Sequence, residues 1–370
     1  MATTRQVSPK LQSLEHLIEA KQSAAQQANV PLNPSLGVSA GNRVQTLKIG
    51  QELEYSGKRA ARSNAALAEV EIAKSEFAAA VLELEQGVTK LFYDILWAKK
   101  NIELLQDNLK ITEKFLGAAS YKFNQGFGSK LDVIKGQVEV ARAKRLLKSA
   151  EQARLISESQ LKTLLKMNPA SRLDLRGDLS QPNLHVAIRL DSLLLAAEQH
   201  HPAMQLEKNK LKAAAYLVTV AQLSAKPNFG FELSGGIDDH EPTAELSLSF
   251  PLALRDTKKG AQAEAQFQQK SQEYRVEAIR NNITQQVTAA FLDFQTATEA
   301  ARLFEDVLLR EAKEAAETAQ KAFESGGFRF LDLVDAQRTY LEASLEYYEN
   351  LRALRHAEVD LQAAVGMPML

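Results

Sequence analysis

Apolar residues recur three and four positions apart along most of this chain, and two apart in only four short stretches. Leu131, Ile134, Val138 and Ala141 carry the first pattern in one region, and Leu341, Leu345 and Tyr348 carry it in another. That period predicts amphipathic helices. The prolines bound how far they run, since none occurs within 35–168 or 252–367. Because proline in a helix interior costs about 3 kcal/mol, those two runs predict very long helices. Alanine, glutamate, lysine, leucine and glutamine dominate both, which is helical composition. The second pattern occupies "TLKIGQELEYS" (46–56) and "TAELSLSFPL" (243–252). There Leu47, Ile49, Leu53 and Tyr55, or Ala244, Leu246, Leu248, Phe250 and Leu252, alternate with other residues. "NPSLGVSAG" and "KPNFGFELSGG" supply partners, with Leu36, Val38, Phe229, Phe231 and Leu233 on one face. Alternation predicts strands with one apolar and one polar side.

Both patterns are written twice. "FNQGFGSKLDVIKGQ" (123–137) aligns without a gap on "FESGGFRFLDLVDAQ" (323–337), and 8–38 aligns on 201–231 with Pro9 on Pro202 and Pro34 on Pro227. Val88, Phe92 and Asp94 fall on Val287, Phe291 and Asp293. Two copies predict a duplicated domain and not a solenoid, which needs at least three units. Each copy reads as a helix of roughly 25 residues, a proline-marked hairpin, a very long helix, a glycine turn and a helix of about 35. At about 1.5 Å per residue, a helix over 58–125 spans roughly 100 Å. Helices over 9–32 and 130–166, stacked end to end, would run antiparallel to it along its whole extent. The fold class is therefore mainly α with a small β part. The hairpins fall at 34–56 and 227–253, and the helical parts at 1–33, 57–168, 201–226 and 254–366. The repeats span roughly 1–168 and 201–370, with 169–200 as an equatorial connecting segment. Two antiparallel helix pairs are too thin to hide their apolar seams, so association with other copies is expected.

About 9–11 alternating residues is the length of a membrane-barrel strand, apolar to lipid and polar to water. A soluble sheet packed on a core is the other reading, but no nearby element offers a helix face to cover these strands. Four strands cannot close a barrel, and open edges are not tolerated in lipid. Several chains would have to pool their strands.

Composition narrows the chemistry. The chain has 370 residues and a formal net charge of −1, which gives no electrostatic footprint for nucleic acid. It has no cysteine, so disulfides, thiolate chemistry and cysteine metal sites are excluded. No stretch approaches the ~20 consecutive apolar residues of a membrane helix. The opening "MATTRQVSPKLQ" lacks the charged-then-apolar layout of a signal peptide, as expected of a cytosolic protein or of one whose leader has been removed. "GFGSK" and Gly57-Lys58 lack the glycine pattern of a phosphate loop. His200-His201 lacks metal-ligand spacing, and "DDHE" (238–241) reads as a polar hairpin tip with weak cation affinity as the alternative. There is no nucleophile elbow and no acid–base constellation. No enzyme, cofactor or resident metal is expected.

The two copies, the paired hairpins, "GGFRFLDLVDAQRTYLEA" and "QELEYSGKRAARSNAALAEVE" (51–71) together resemble the TolC-like outer membrane efflux protein family. The resemblance covers essentially the whole chain, and "SGKRAAR" is most similar to its CzcC-type heavy-metal branch. It implies a homotrimer in the outer membrane of a Gram-negative bacterium. Each chain would give four strands to a twelve-stranded barrel continued by a helical barrel across the periplasm. The implied partners are a periplasmic adaptor protein, an inner-membrane RND-type transporter and outer-membrane lipid. Family members usually open with a leader and further helix, and many carry a lipidated cysteine. A soluble coiled-coil scaffold and a periplasmic adaptor are the alternatives from other classes; the adaptor needs more β structure than four strands supply.

The resemblance also places residues. Asp332 and Asp335 share a helix face and match acids that line the family's closed aperture; around a threefold axis they would form carboxylate rings favouring cations. First-turn acids interacting with the helix dipole is the simpler reading. Asp132 repeats Asp332, but Lys135 stands where Asp335 would be, so the second-copy tip is expected to face the axis. Gly126, Gly128, Gly326 and Gly327 would supply positive-φ turns and the adaptor's docking surface. Lys58, Arg59 and Arg62 open a long helix against its dipole. A collar beside lipid headgroups, pairing with Glu52 or Glu54, and solvation are all open to them.

Overall fold

The computed structural model describes residues 8–41, 44–179, 189–238, 240–252, 254–324 and 329–367. The first copy comprises α1 (Pro9–Ala28), β1 (Ser35–Ala40), β2 (Val44–Leu53), α2 (Lys58–Asn124) and α3 (Lys130–Leu164). The second comprises α4 (Leu190–His200), α5 (Pro202–Ser224), β3 (Phe229–Asp238), β4 (Glu241–Ser249), α6 (Lys259–Leu303), α7 (Leu309–Glu324) and α8 (Phe330–Val365). α2 is 67 residues long and free of proline. α3 and α8 match at 35 and 36 residues.

The departures from expectation are local. α1 stops at Ala28 and not at 32, because Pro31 and Pro34 disfavour helical backbone just before them. α3 ends at Leu164, where Lys166 takes a left-handed φ of 50° and Met167 N–H returns to the Lys162 carbonyl at 2.9 Å, closing the helix as a glycine would. β2 begins two residues early and ends at Leu53, and β4 runs over 241–249. The segment expected only to connect the copies contains α4. The second long helix is not uniform, since a π-helical turn, Phe304–Leu308, separates α6 from α7.

The strands form one antiparallel sheet in the order β1-β2-β3-β4. Register puts Leu36, Ile49, Leu233 and Leu246 on one rung, and Val38, Leu47, Gly235 and Ala244 on the next. Both rungs lie on the same face, which no part of the chain covers among the described residues. Leu47, Ile49, Leu246 and Phe250 are 50%, 52%, 76% and 51% exposed. The opposite face carries Lys48 and Glu232, paired at 3.0 Å across β2 and β3.

The chain divides into two compact units that cut across the duplication. One takes the first half of each copy, Pro9–Ala80 and Glu198–Ile283; the other takes Val81–Ala197 and Thr284–Leu370 with the N-terminal residues. In the first, the sheet is accompanied by α1, α5 and the adjoining parts of α2 and α6. Buried Leu11, Ala68, Val70, Met204 and Ala213 form its core. Lys21 reaches Glu69 at 2.9 Å, and Asn209 donates to Ser75 Oγ at 2.9 Å. The second unit is helical and contains the first glycine turn and the helices on either side of Gly326 and Gly327.

Candidate functional site

The first glycine turn is built from its own residues, and helices flanking both turns pack together within the helical unit. Gly126 takes a φ of 79°, while Gly126 N–H and Phe127 N–H return to the Phe123 and Lys122 carbonyls at 3.0 Å each. This left-handed closure ends α2. Gly128, expected at positive φ, does not take it; glycine is needed there because a Cβ would stand 2.6 Å from the Phe123 backbone nitrogen. Ser129 then caps α3, accepting from Leu131 N–H at 3.1 Å. In the second copy Gly326 and Gly327 lie outside the described residues. After them, Asp332 Oδ2 accepts from the Arg329 backbone N–H and from Nε, and Oδ1 accepts from Nη2, each at 3.3 Å.

Phe115 and Ala119 of α2 share one buried cluster with Ala319 and Phe323 of α7 and Phe330 and Leu333 of α8. Phe323 and Phe330 meet edge to face at 6.3 Å, and Lys122 Nζ sits 4.1 Å from the Phe323 ring centre. Arg338 of α8 reaches Glu139 of α3 at 2.8 Å. Over this core lies a cleft of about 440 Å³. Gly128, Asp132 and Lys135 of the first turn line it together with Arg329 of the second. Phe127 at its rim is 89% exposed.

The two carboxylates expected at an aperture differ sharply. The Arg329 hydrogen bonds hold Asp332 below the usual carboxylate range, and its charge is matched locally. Asp335 is exposed and has no cation partner among the described residues.

Sequence reasoning missed a polar seam farther along the same unit, where α2 of one copy meets α8 of the other. Asp94 Oδ1 accepts from Arg352 Nη1 at 3.1 Å and lies 3.0 Å from His356 Nε2, the latter too poorly aligned to count as a hydrogen bond. Arg352 also lies over Trp97 at 4.7 Å and Arg355 over Tyr93 at 5.4 Å, while Lys90 reaches Asp360. Burial alone would raise the Asp94 carboxyl, but His356 and Arg352 outweigh it and hold the pKa down. The lone tryptophan beside an aspartate was the available signal. Asp293, the aligned residue, is exposed.

A depressed folded-state pKa contributes stability that is complete above the ordinary carboxylate range and lost as pH falls through the folded value. Asp94→Asn should therefore destabilise the protein by about 1.5–3 kcal/mol at neutral pH, typical of a hydrogen bond to a charged group. The deficit should begin to shrink as pH falls below the ordinary carboxylate range and close as it passes the lower folded value. Thermal midpoints of both proteins between pH 7 and pH 3 measure this; a deficit that does not change with pH would assign Asp94 a packing role only.

Where β2 passes into α2, Gly57 turns the chain with a φ of 90°. Arg62 pairs with Glu54 at 2.5 Å and donates to the Ala28 and Val30 carbonyls at 2.8 and 3.2 Å. Lys58 Nζ donates to the Lys226 carbonyl at 2.6 Å and to Asn228 Oδ1 at 2.7 Å. Both cations join the first hairpin to its neighbours, whereas Arg59 is exposed. No group of residues with the composition of a metal site occurs among the described residues.

A duplicated run of long helices, with a small sheet whose apolar face stays open, defines an outer-membrane efflux channel fold. The pattern of the outer membrane efflux protein family matches residues 2–165 and 193–367, one segment for each copy, and the chain belongs to that family of the Gram-negative outer membrane. It is 26% identical over 357 residues to the cobalt-zinc-cadmium resistance protein CzcC of Cupriavidus metallidurans, covering 94% of this chain and 84% of that one. To protein CyaE of Bordetella pertussis it is 25% identical over 393 residues, covering 97% and 81%. Among solved structures, the outer membrane protein VceC of Vibrio cholerae superposes with a TM-score of 0.79 at 17% identity, covering 99% of this chain and 95% of VceC. The open state of the Neisseria gonorrhoeae MtrE outer membrane channel gives 0.81 at 18%, covering 99% and 88%. CusC gives 0.82 at 13%, covering 99% and 91%. The resemblance read from the repeats, including its CzcC-type branch, agrees with these findings.

Proposed function

We propose that this chain forms the passive, trimeric exit duct of a tripartite efflux system. Three copies pool their sheets into a twelve-stranded barrel in the outer membrane, and their helices form a tube reaching into the periplasm. The observation that carries the reading is the open apolar sheet face, bounded by unpaired edges at β1 and β4. Apolar side chains facing water over that area are unfavourable by about 25 cal/mol per Å², and open edges are not tolerated in lipid. Pairing β4 of one copy with β1 of the next removes the edges, and lipid covers the apolar face. The glycine turns form the periplasmic end, which receives substrate from an inner-membrane RND-type transporter through an adaptor docked at the tips. Exposed Phe127 and the cleft beside Gly128 and Arg329 offer that adaptor a surface. Asp335 contributes to a carboxylate ring at the aperture, with Asp332 contributing less because Arg329 matches its charge. Divalent heavy-metal cations are the proposed cargo, from the similarity to CzcC, and the pump sets the selectivity.

Extraction in a mild detergent followed by native mass spectrometry tests the assembly. Three copies per particle, found in the membrane fraction, are expected. A detergent-free soluble monomer would overturn the reading.

A further inference from the structure

We propose that the base of the second hairpin is a binding site for an anionic phospholipid, with Lys226, Arg255 and Lys258 on the headgroup phosphate. The inference rests on the proposed membrane placement of the sheet and deepens it.

A cleft of about 470 Å³ opens between the end of α5 and the stretch that leads β4 into α6. Pro227 and Pro251 stiffen its two walls, and its remaining lining is of two kinds. Leu252 and Leu254 are 68% and 83% exposed, so no described part of the chain covers them. Lys226, Arg255 and Lys258 also line it. Asp256 is the sole carboxylate in the lining and is taken by Lys258 at 2.5 Å. Lys226 and Arg255 have no carboxylate partner among the described residues, which leaves a net positive pocket.

The contrast with the first copy points to an external anion. Both long helices begin with cations and have no acid in their first turn, an arrangement the helix dipole opposes. In the first copy the chain meets the demand itself, through Glu54, Asn228 and backbone carbonyls. In the second, Asp256 alone answers among the described residues. A phosphate would supply the missing charge, and the Arg255 guanidinium suits it through paired N–H donors.

The order of groups along the chain selects a lipid over free phosphate. Leu246, Leu248, Phe250 and Leu252 continue one alternating apolar series off the open face of the sheet, and the cations follow directly. Apolar surface passing into cations within a few residues mirrors acyl chain passing into phosphate. Each cation near an anionic lipid surface is worth about fivefold in binding, so two are worth about thirtyfold.

The test uses the full-length protein in detergent, titrated with phosphatidylglycerol or phosphatidylcholine and read by native mass spectrometry. Wild type should retain phosphatidylglycerol preferentially. Lys226→Gln/Arg255→Gln should lose about thirtyfold of that preference, and Lys226→Arg/Arg255→Lys should keep most of it. Inorganic phosphate should not compete. Equal retention of the two lipids by wild type, or an unchanged preference in the glutamine variant, overturns the site. So does full competition by inorganic phosphate, which would make it an anion pocket. Loss of assembly in the glutamine variant, with lipid preference unchanged in the fraction that assembles, assigns the cleft to a neighbouring copy instead. Membrane fractionation of wild type separates the two readings, because a protein that inserts and shows no headgroup preference defeats only this one.

Discussion

Leu246→Arg should abolish insertion and assembly, whereas Ser247→Arg, one residue along the same strand, should be tolerated. Leu246 closes the rung Leu36–Ile49–Leu233–Leu246 near the middle of β4, on the face that is open in the single chain. In the proposed barrel that rung meets the hydrocarbon. An arginine on the lipid face near the bilayer midplane costs about 2–4 kcal/mol, and threefold repetition raises the cost to about 6–12 kcal/mol per assembly. That consumes most of the roughly 5–15 kcal/mol by which folded proteins are stable. Ser247 pairs with Glu232 in register on the opposite face, where Glu232 already holds Lys48. An arginine there enters a polar, charged surface. Outer-membrane fractionation and the yield of assembled particles measure both variants. If the two behaved alike, or Ser247→Arg were the more damaging, the sheet would not be a wall between lipid and water. A soluble sheet over a hidden core would give the same contrast, but its apolar face would be covered within the single chain, whereas Leu246 is 76% exposed.

That prediction depends on strand parity, which was fully legible. Parity needs only the alternation of Leu47, Ile49, Leu246 and Leu248 with polar neighbours, because successive side chains in a strand point to opposite faces. The long helices were legible from where proline is absent, and the tip turns from Gly126 and Gly128, whose backbone only glycine accommodates. What was hidden depends on which element packs against which. Asp94 and Asp293 align perfectly, yet one is held between Arg352 and His356 while the other is exposed. The π turn is equally silent in sequence. "FEDVL" holds neither glycine nor proline, and the aligned stretch of the first copy remains α-helical within α2. The Arg329–Asp332 pairing was readable as a charge pair three apart and weakens the expectation of a carboxylate ring at Asp332. Its effect is to leave Asp335 as the unpaired carboxylate of the second tip among the described residues.

Asp335→Cys should cross-link between copies in the resting protein and stop export until the disulfide is reduced. The chain has no cysteine, so one substitution places a single thiol on each copy without background. Three thiols around an axis can form only one disulfide, which needs Cβ atoms about 3.5–4.5 Å apart. A closed aperture should therefore capture about two-thirds of the chains as a dimer band, the remaining third having no partner. Asp332→Cys should capture less, and removing its hydrogen bonds to Arg329 also loosens the start of α8. Asp132→Cys should capture nothing between copies if the first-copy tip faces away from the axis, as the lysine at 135 suggests. A charge-based check accompanies the covalent one. A carboxylate ring attracts cations, so Asp335→Asn should make conductance less sensitive to divalent ions. Capture at 335 with export intact would show that the residue lies near its symmetry mates without closing the path. No capture at any of the three positions would remove the aspartates from the gate, and would leave closure to the apolar cluster of Phe115, Phe323 and Phe330 beneath the turns.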